Sequence, residues 1–468
     1  MYDELKAYAE SDVYPFHMPG HKRHFADDGL PYTIDVTEID GFDNLHHPSG
    51  MIQETEQRAA YLYHAKRAFL LVNGATGGIF AAMKAATKRG DKIIIARNCH
   101  TSVYRAAELL GLKPSYIVPD PPKGDREYDC YGGVNPLALD MMLQSHADVR
   151  MVVITSPTYE GICSDIKTIA LICRHHHVKL LVDAAHGAHF PFHQAFPPSA
   201  MDCAADYCVV SLHKTLPALT QTALLLTNDD ESVPLLQSAL TFFQTSSPSY
   251  VLMSSIDTCL RYVETHTDAF ELYVTRLRQL EKELSGMHHL RLLFHDSEEK
   301  MANVVYYDIS KLVISTYGTA LTGVELANIL RKNYKIEVEM AALHYIIAMT
   351  SVCDTSKGFE RLRDALLSID RQCADADKKS ELTIPLTLPE CRVYACDMMD
   401  GQEVPMPQAI GMTAAEDVLA YPPGIPLIVK GEVIDEGLLL LIRKLEKNGV
   451  NIIFSGNSAT DSISVADL

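Results

Sequence analysis

At 468 residues, 47% of them hydrophobic, the chain is too long for one small core and is expected to divide into two or three domains. A formal net charge of -19 with no long basic block excludes an electrostatic footprint for nucleic acid or an anionic membrane surface, and no run approaches the roughly 18 apolar residues of a membrane helix. The eleven scattered cysteines form neither a CxxC pair nor a zinc-type Cys/His spacing, and the start lacks an apolar signal-peptide core, so a cytoplasmic protein with reduced thiols is expected.

From about residue 60, helix-like periodicity alternates with short apolar runs: AFLLV (68–72), DKIIIA (91–96), PSYIVP (114–119), VRMVVIT (149–155), VKLLVDA (178–184), YCVVS (207–211) and TALLLT (222–227). Buried strands spaced by helix-sized segments predict an α/β domain with a mostly parallel sheet, whose ligands gather outside the strands' carboxyl ends. The alternation then stops, and 248–285 reads as long helices with Gly286 as a stop. A second α/β region follows, with strand candidates HLRLLF and NVVYYDI and a helix opened by the capping-box pair Thr322 and Glu325. RQCADADKKSEL (371–382) reads as an exposed linker. Beyond it, Thr413 and Glu416 have capping-box spacing for a helix stopped by a proline cluster, and a further helix ends at Gly449. These signals divide the chain into an amino-terminal arm (1–50), a large domain (51–285), a small α/β domain (286–372) and a carboxy-terminal domain (373–468).

Four places near predicted strand ends carry chemistry. NGATGGIFAAMKAA (73–86) is a Gly-rich turn with Thr76, leading into a helix whose first N–H groups suit a phosphate. His100, just past the strand at 92–96, can stack on an aromatic ligand. Asp183 closes an apolar run with His186 three residues later, and a carboxylate so poorly solvated needs a cation or several hydrogen bonds. SLHKT (211–215) places Lys214 beyond a buried strand, where partial burial lowers an ammonium pKa and frees the amine to attack carbonyls. Phosphate turn, stacking imidazole, buried carboxylate and lysine together are the requirements of one cofactor, pyridoxal 5'-phosphate. The consecutive histidines of CRHHHVK (173–179) do not share a helix face, so no metal site is expected there.

The sequence resembles the Orn/Lys/Arg decarboxylase family of fold-type I pyridoxal-phosphate enzymes, in its short form without an amino-terminal wing domain. The resemblance is carried by PFHMPGHKR (15–23), VTEIDGFDNLHHPSG (36–50), NGATGGI, SPTYEGICSDI, VDAAHGAHF, SLHKTLPALTQTALL and YPPGIPLIVKGE, and so covers nearly the whole chain. It implies an aspartate aminotransferase-like large domain with smaller carboxy-terminal α/β domains, and decarboxylation of arginine, lysine or ornithine to the corresponding amine and carbon dioxide. It also implies roles: Lys214 as the Schiff-base lysine, Asp183 at the pyridinium nitrogen, His100 stacked on the ring and His186 near the phenolic oxygen. Ala75, Thr76, Gly77, Ser211 and His213 take the phosphate. Two departures stand out, Ala184 where the family usually has glutamate and Ala75 where it has serine. A lost hydroxyl removes at most one phosphate hydrogen bond, about 1–2 kcal/mol, and neither change touches the lysine or the aspartate. A buried acid must meet the substrate's distal cation, and Glu160, Glu339 and Asp354 are the candidates. The fold type implies a homodimer or larger homo-oligomer. An aminotransferase or aldolase on the same scaffold is the rival chemistry, and an inactive regulatory homologue the rival of another class.

Overall fold

The computed structural model describes residues 1–11, 29–120, 130–294, 304–373, 388–398, 401–456 and 461–466. The PFHMPGHKR motif at 15–23 and most of the predicted linker at 371–382 lie outside the described residues. The chain forms two compact units, one of residues 1–87 and 179–271 and one of 88–178 and 272–468. The seven apolar runs of the first half become strands close to their predicted bounds, β1 (Arg67–Leu71), β2 (Lys92–Ala96), β3 (Lys113–Ile117), β4 (Val149–Thr155), β6 (Lys179–Asp183), β7 (Tyr207–Ser211) and β8 (Ala223–Thr227), and a short strand that the runs do not predict, β5 (Ile162–Ser164), follows β4.

In the first unit the strand order is β1-β8-β7-β6, with β6 and β7 parallel and β8 antiparallel to both its neighbours. All five residues of β7 and of β8 are buried, which is why both read as continuous apolar runs rather than alternating ones. Helix Gly74–Ala86 crosses β1 and β7 at Gly78, where an added Cβ would lie 2.6 Å from Leu71 Cδ1 and 3.2 Å from both Val209 methyls. Only glycine allows that approach.

The HHPSG stretch of this unit is built around one carboxylate. Asp43 Oδ1 accepts the N–H groups of Asn44 and Ser49 at 2.9 and 2.8 Å, and Oδ2 those of Gly50, Ile52 and Gln53 at 2.8, 3.0 and 3.3 Å, which fixes the start of helix Met51–Leu62. Burial works against the charge, but the backbone donors outweigh it and hold the Asp43 carboxyl below its usual range. A depressed folded-state pKa adds stability that is present above the unfolded value and lost as pH falls through the folded one. Asp43→Asn is therefore expected to lower stability by about 2–3 kcal/mol near neutral pH. Urea midpoints should show the gap at pH 7 and its disappearance at pH values below about 4; a gap independent of pH would contradict this account.

In the second unit β2 lies between β3 and β4 and is parallel to both. A separate antiparallel sheet runs Met340–Ala341, Tyr345–Met349, Lys311–Ser315, Arg291–Leu292, and β5 pairs with Val304–Tyr307. The predicted capping box is present: Thr322 Oγ1 accepts from Glu325 N, and the Glu325 carboxylate accepts from Thr322 N. The region 248–285 forms two helices, Tyr250–Thr265 and Thr267–Leu284.

The capping-box reading of 413–416 is corrected by the structure. Those residues are not helical: Thr413 bridges Val433, and the Glu416 carboxylate accepts Gly456 N and Ser464 N, both at 2.7 Å. The strand Val418–Ala420 follows, between Ile425–Ile428 and Ile452–Phe454, and packs with helix Glu436–Lys447 around a core that includes Val418, Ile428, Leu438 and Ile442. No helix among the described residues is long and apolar enough to cross a membrane.

Candidate active site

Of the residues singled out in the sequence, Ala75, Thr76, Gly77, Asp183, His186, Ser211, His213 and Lys214 lie in the first unit, and His100, Glu160, Glu339 and Asp354 in the second. In the first unit, β7 runs without a break into the single helical turn Leu212–Thr215, closed by Leu216 N donating to Leu212 O at 2.9 Å. That turn carries the lysine back toward the end of β6. Lys214 Nζ lies 3.0 Å from His186 Nε2, an amine donor facing an imidazole acceptor.

Asp183 ends β6 and is 4% exposed. Its Oδ1 accepts Ala185 N at 3.1 Å, while Oδ2 accepts no hydrogen bond among the described residues. One oxygen of a nearly buried carboxylate is thus uncommitted. The Cys208 thiol, pushed up by burial and by the charge of Asp183, is no competing nucleophile. His213 Nδ1 donates to Thr222 O at 2.9 Å, leaving Nε2 without its proton. Burial and the neighbouring Lys214 charge hold the His213 pKa below its ordinary value, so the ring is neutral at pH 7.

The turn after β1 is held from several sides by residues that local reading did not single out. Gly74, at φ +69°, donates its N–H to Gln221 O at 3.0 Å, and Gln221, itself at φ +83°, donates Nε2 to Val72 O at 2.5 Å. Asn73 Nδ2 donates to Phe243 O at 2.9 Å, and Gln244 takes Val72 N and gives to Leu70 O at 2.9 and 3.1 Å. The N–H groups of Ala75 and Thr76 lie in the first turn of helix Gly74–Ala86, where no intrahelical carbonyl accepts them, Gly77 is the first residue placed to bond back to the N-cap Asn73, and Thr76 is exposed. Gln221 stands six residues after Thr215 in the SLHKT stretch, but nothing in its local pattern marks it as a support.

In the second unit, His100 is the N-cap of helix Thr101–Leu110, its Nδ1 accepting Ser102 N at 3.2 Å and lying 2.9 Å from Ser102 Oγ. The other ring nitrogen faces the carboxy-terminal segment: Thr101 N donates to Gly424 O at 3.0 Å, and a Cβ on Gly424, which sits at φ +86°, would meet His100 Nε2 at 3.3 Å. The YPPG stretch therefore seats on His100. Glu160 is 7% exposed and accepts from Tyr345 OH at 2.8 Å. Glu339 is exposed and accepts a short hydrogen bond from Tyr159 OH, the phenol preceding Glu160. Burial and that carboxylate push the Tyr159 phenol well above its usual pKa, with Tyr421 and Glu160 adding to the effect. Asp354 is tied up in its own turn, Oδ2 accepting Ser351 N at 2.7 Å.

Comparison with known proteins covers nearly the whole chain. The family description "Orn/Lys/Arg decarboxylase, major domain" matches residues 1–357, and "Orn/Lys/Arg decarboxylase, C-terminal domain" matches residues 389–450. A curated arginine decarboxylase of Halalkalibacterium halodurans is 31% identical over 97% of this chain and 94% of its own. One of Bacillus subtilis is 32% identical over 93% of this chain and 91% of its own. Among solved structures, the Francisella novicida lysine decarboxylase superposes with a TM-score of 0.84 at 19% identity, covering 99% of this chain and 80% of that one, which fixes the fold. On the fold, the residues and these matches together, the chain belongs to the Orn/Lys/Arg decarboxylase family.

Proposed function

We propose that the protein decarboxylates L-arginine to agmatine and carbon dioxide with bound pyridoxal 5'-phosphate. The observation that carries the reading is the Lys214 amine 3.0 Å from His186 Nε2, on the turn after β7, with the uncommitted Asp183 Oδ2 at the end of the neighbouring parallel strand. Arginine is preferred over lysine and ornithine because curated relatives matching over nine-tenths of both chains are named arginine decarboxylase.

The side chains fit the cofactor's chemistry. Lys214 supplies the amine for its aldehyde, and Asp183 Oδ2 the counter-charge for its ring nitrogen. Thr76, the backbone at Ala75 and Gly77, Ser211 and His213 would hold its phosphate, and His100 would face its ring. When bound, the group supplies an electron sink for the pair released as carbon dioxide leaves the substrate's α-carbon. His186 Nε2, 3.0 Å from Lys214 Nζ, would take a proton from the lysine amine and return it. Glu160 and Glu339, linked through the Tyr159–Glu160 peptide, would supply the counter-charge for the distal guanidinium, ahead of Asp354, whose Oδ2 holds its own turn. A homodimer is the minimum assembly this reading carries. Eleven free cysteines, seven of them buried, support a cytoplasmic location.

Incubation of cofactor-loaded protein with arginine, lysine and ornithine in turn tests the reading. Carbon dioxide and agmatine from arginine are expected to exceed release from the other two; keto-acid formation without carbon dioxide would replace it with an aminotransferase. A second test bears on the YPPG loop. Gly424→Ala forces a Cβ into a left-handed position, a strain of about 1–2 kcal/mol, and against His100. Turnover is expected to fall about tenfold or more while the protein stays folded; unchanged turnover would detach the loop from the chemistry.

A further inference from the structure

A cleft of ≈ 230 Å³ opens on the first unit between helix Met51–Leu62, the start of β1 and helix Val233–Phe243. Neither Asp183, His186, Ser211 nor Lys214 lines it. Its polar lining consists of Glu56, Arg67, Lys66, Gln53, Gln57 and Gln237, over a floor that includes Phe69. Lys66 is spent on Asp230, 2.8 Å away. The two remaining ionisable groups are not. Glu56 Oε1 accepts Leu70 N at 3.3 Å and its other oxygen accepts nothing among the described residues. The Arg67 side chain, exposed at the first position of β1, makes no hydrogen bond or ion pair among the described residues, with Glu56 or with any other group. A carboxyl and a guanidinium thus line one polar cleft without a hydrogen bond or ion pair between them, and three glutamines line it with them.

We propose that this cleft is a second small-molecule site that takes a free amino acid, its ammonium group on Glu56 and its carboxylate on Arg67. A carboxyl that can give up its proton to become an anion, together with a guanidinium, complements a zwitterion, and the guanidinium matches a carboxylate with two parallel donors. The glutamines supply donors and acceptors that replace water around the ligand.

The site carries a protonic signature. Burial, with the charge of Asp43 adding to it, pushes the Glu56 carboxyl up to about 8, against the hydrogen bond from Leu70 N and the charge of Arg67. At pH 7 the empty site therefore holds a proton on Glu56, and an arriving ammonium group displaces it. Binding is expected to release a proton and to be about fivefold tighter at pH 8 than at pH 7.

Titration calorimetry of the full chain loaded with pyridoxal phosphate tests this with glycine, L-glutamine and methylamine as probes. Saturable binding of glycine or L-glutamine is expected, at least tenfold weaker in Glu56→Gln and in Arg67→Ala. Methylamine, a cation without a carboxylate, should bind at least tenfold more weakly than glycine to the wild type. The heat of amino-acid binding should depend on the buffer's ionisation heat in the wild type and not in Glu56→Gln, which keeps the hydrogen bond to Leu70 but cannot titrate. Absence of binding by both amino acids, or binding that survives both substitutions, overturns the proposal. Because the decarboxylation assay uses other residues, either reading can fail while the other stands.

Discussion

Lys214→Ala is expected to reduce arginine decarboxylation by more than about 10³-fold and to remove the visible absorbance that a lysine-bound pyridoxal group gives. The substitution deletes the amine 3.0 Å from His186 Nε2 and leaves the rest of the turn Leu212–Thr215 in place, because that turn is closed by backbone groups. Stability should therefore change little, and the denaturation midpoint separates a chemical loss from an unfolded variant. The colour and the rate should fall together. A Lys214→Ala variant that keeps the absorbance would place the attachment on another lysine, and one that keeps normal turnover would remove Lys214 from the mechanism altogether. Lys214→Arg sharpens the test: it retains a cation beside His186 but has no amine that can be deprotonated in the working pH range, so it should be as inactive as the alanine variant.

What the sequence made legible follows from which interactions are local. β7 and β8 were readable because strands covered on both faces become unbroken apolar runs, and SLHKT stood out because three polar residues follow such a run. The strand Lys311–Ser315 went unread, since its first residue is a lysine that is wholly buried, an arrangement only tertiary surroundings can produce. The error at 413–416 has the same origin. Thr413 and Glu416 satisfy a four-residue rule, yet the Glu416 carboxylate is spent on Gly456 and Ser464, about forty residues away. In the candidate site, Lys214 and Asp183 could be singled out because each follows an unbroken apolar run at the end of one of two adjacent parallel strands, and the family resemblance supplied their expected roles and that of His186. The supports could not. Gln221 at φ +83°, Gln244, and the Gly424 contact on His100 join segments separated by more than a hundred residues, and no local pattern encodes them.

A further support, of still longer range, is the one whose removal should do most damage to the fold. Arg97, three residues before His100, is 2% exposed and donates Nη1 to Pro426 O at 2.6 Å and Nη2 to Leu427 O and Glu432 Oε2 at 3.2 and 3.1 Å. The rings of Tyr104 and Tyr116 flank it at 5.8 and 5.9 Å, and Glu432 Oε2 also accepts Val429 N at 2.7 Å. One guanidinium thereby ties residues 426–432, and with them Gly424, to the start of the helix that His100 caps. Arg97→Met should cost about 3–5 kcal/mol at neutral pH, because it leaves a buried carboxylate and two carbonyls without their donor. Burial already raises the Glu432 carboxyl despite the attraction of Arg97. Without that attraction Glu432 folds in its protonated form, a folded-state pKa above the unfolded one, so its contribution is present at low pH and lost as pH rises. The deficit of the variant should accordingly grow between about pH 5 and pH 8. Adding Glu432→Leu removes the stranded charge and should recover much of the stability, since an apolar pair of similar volume often matches a buried ion pair. It does not restore the donors to Pro426 O and Leu427 O. The double variant is therefore expected to regain its denaturation midpoint ahead of its turnover, the loop on His100 remaining unanchored while the core is repaired. Parallel recovery of both would mean that Arg97 supports the fold without aligning the loop, and an unchanged midpoint in Arg97→Met would show that the pair carries no net stability.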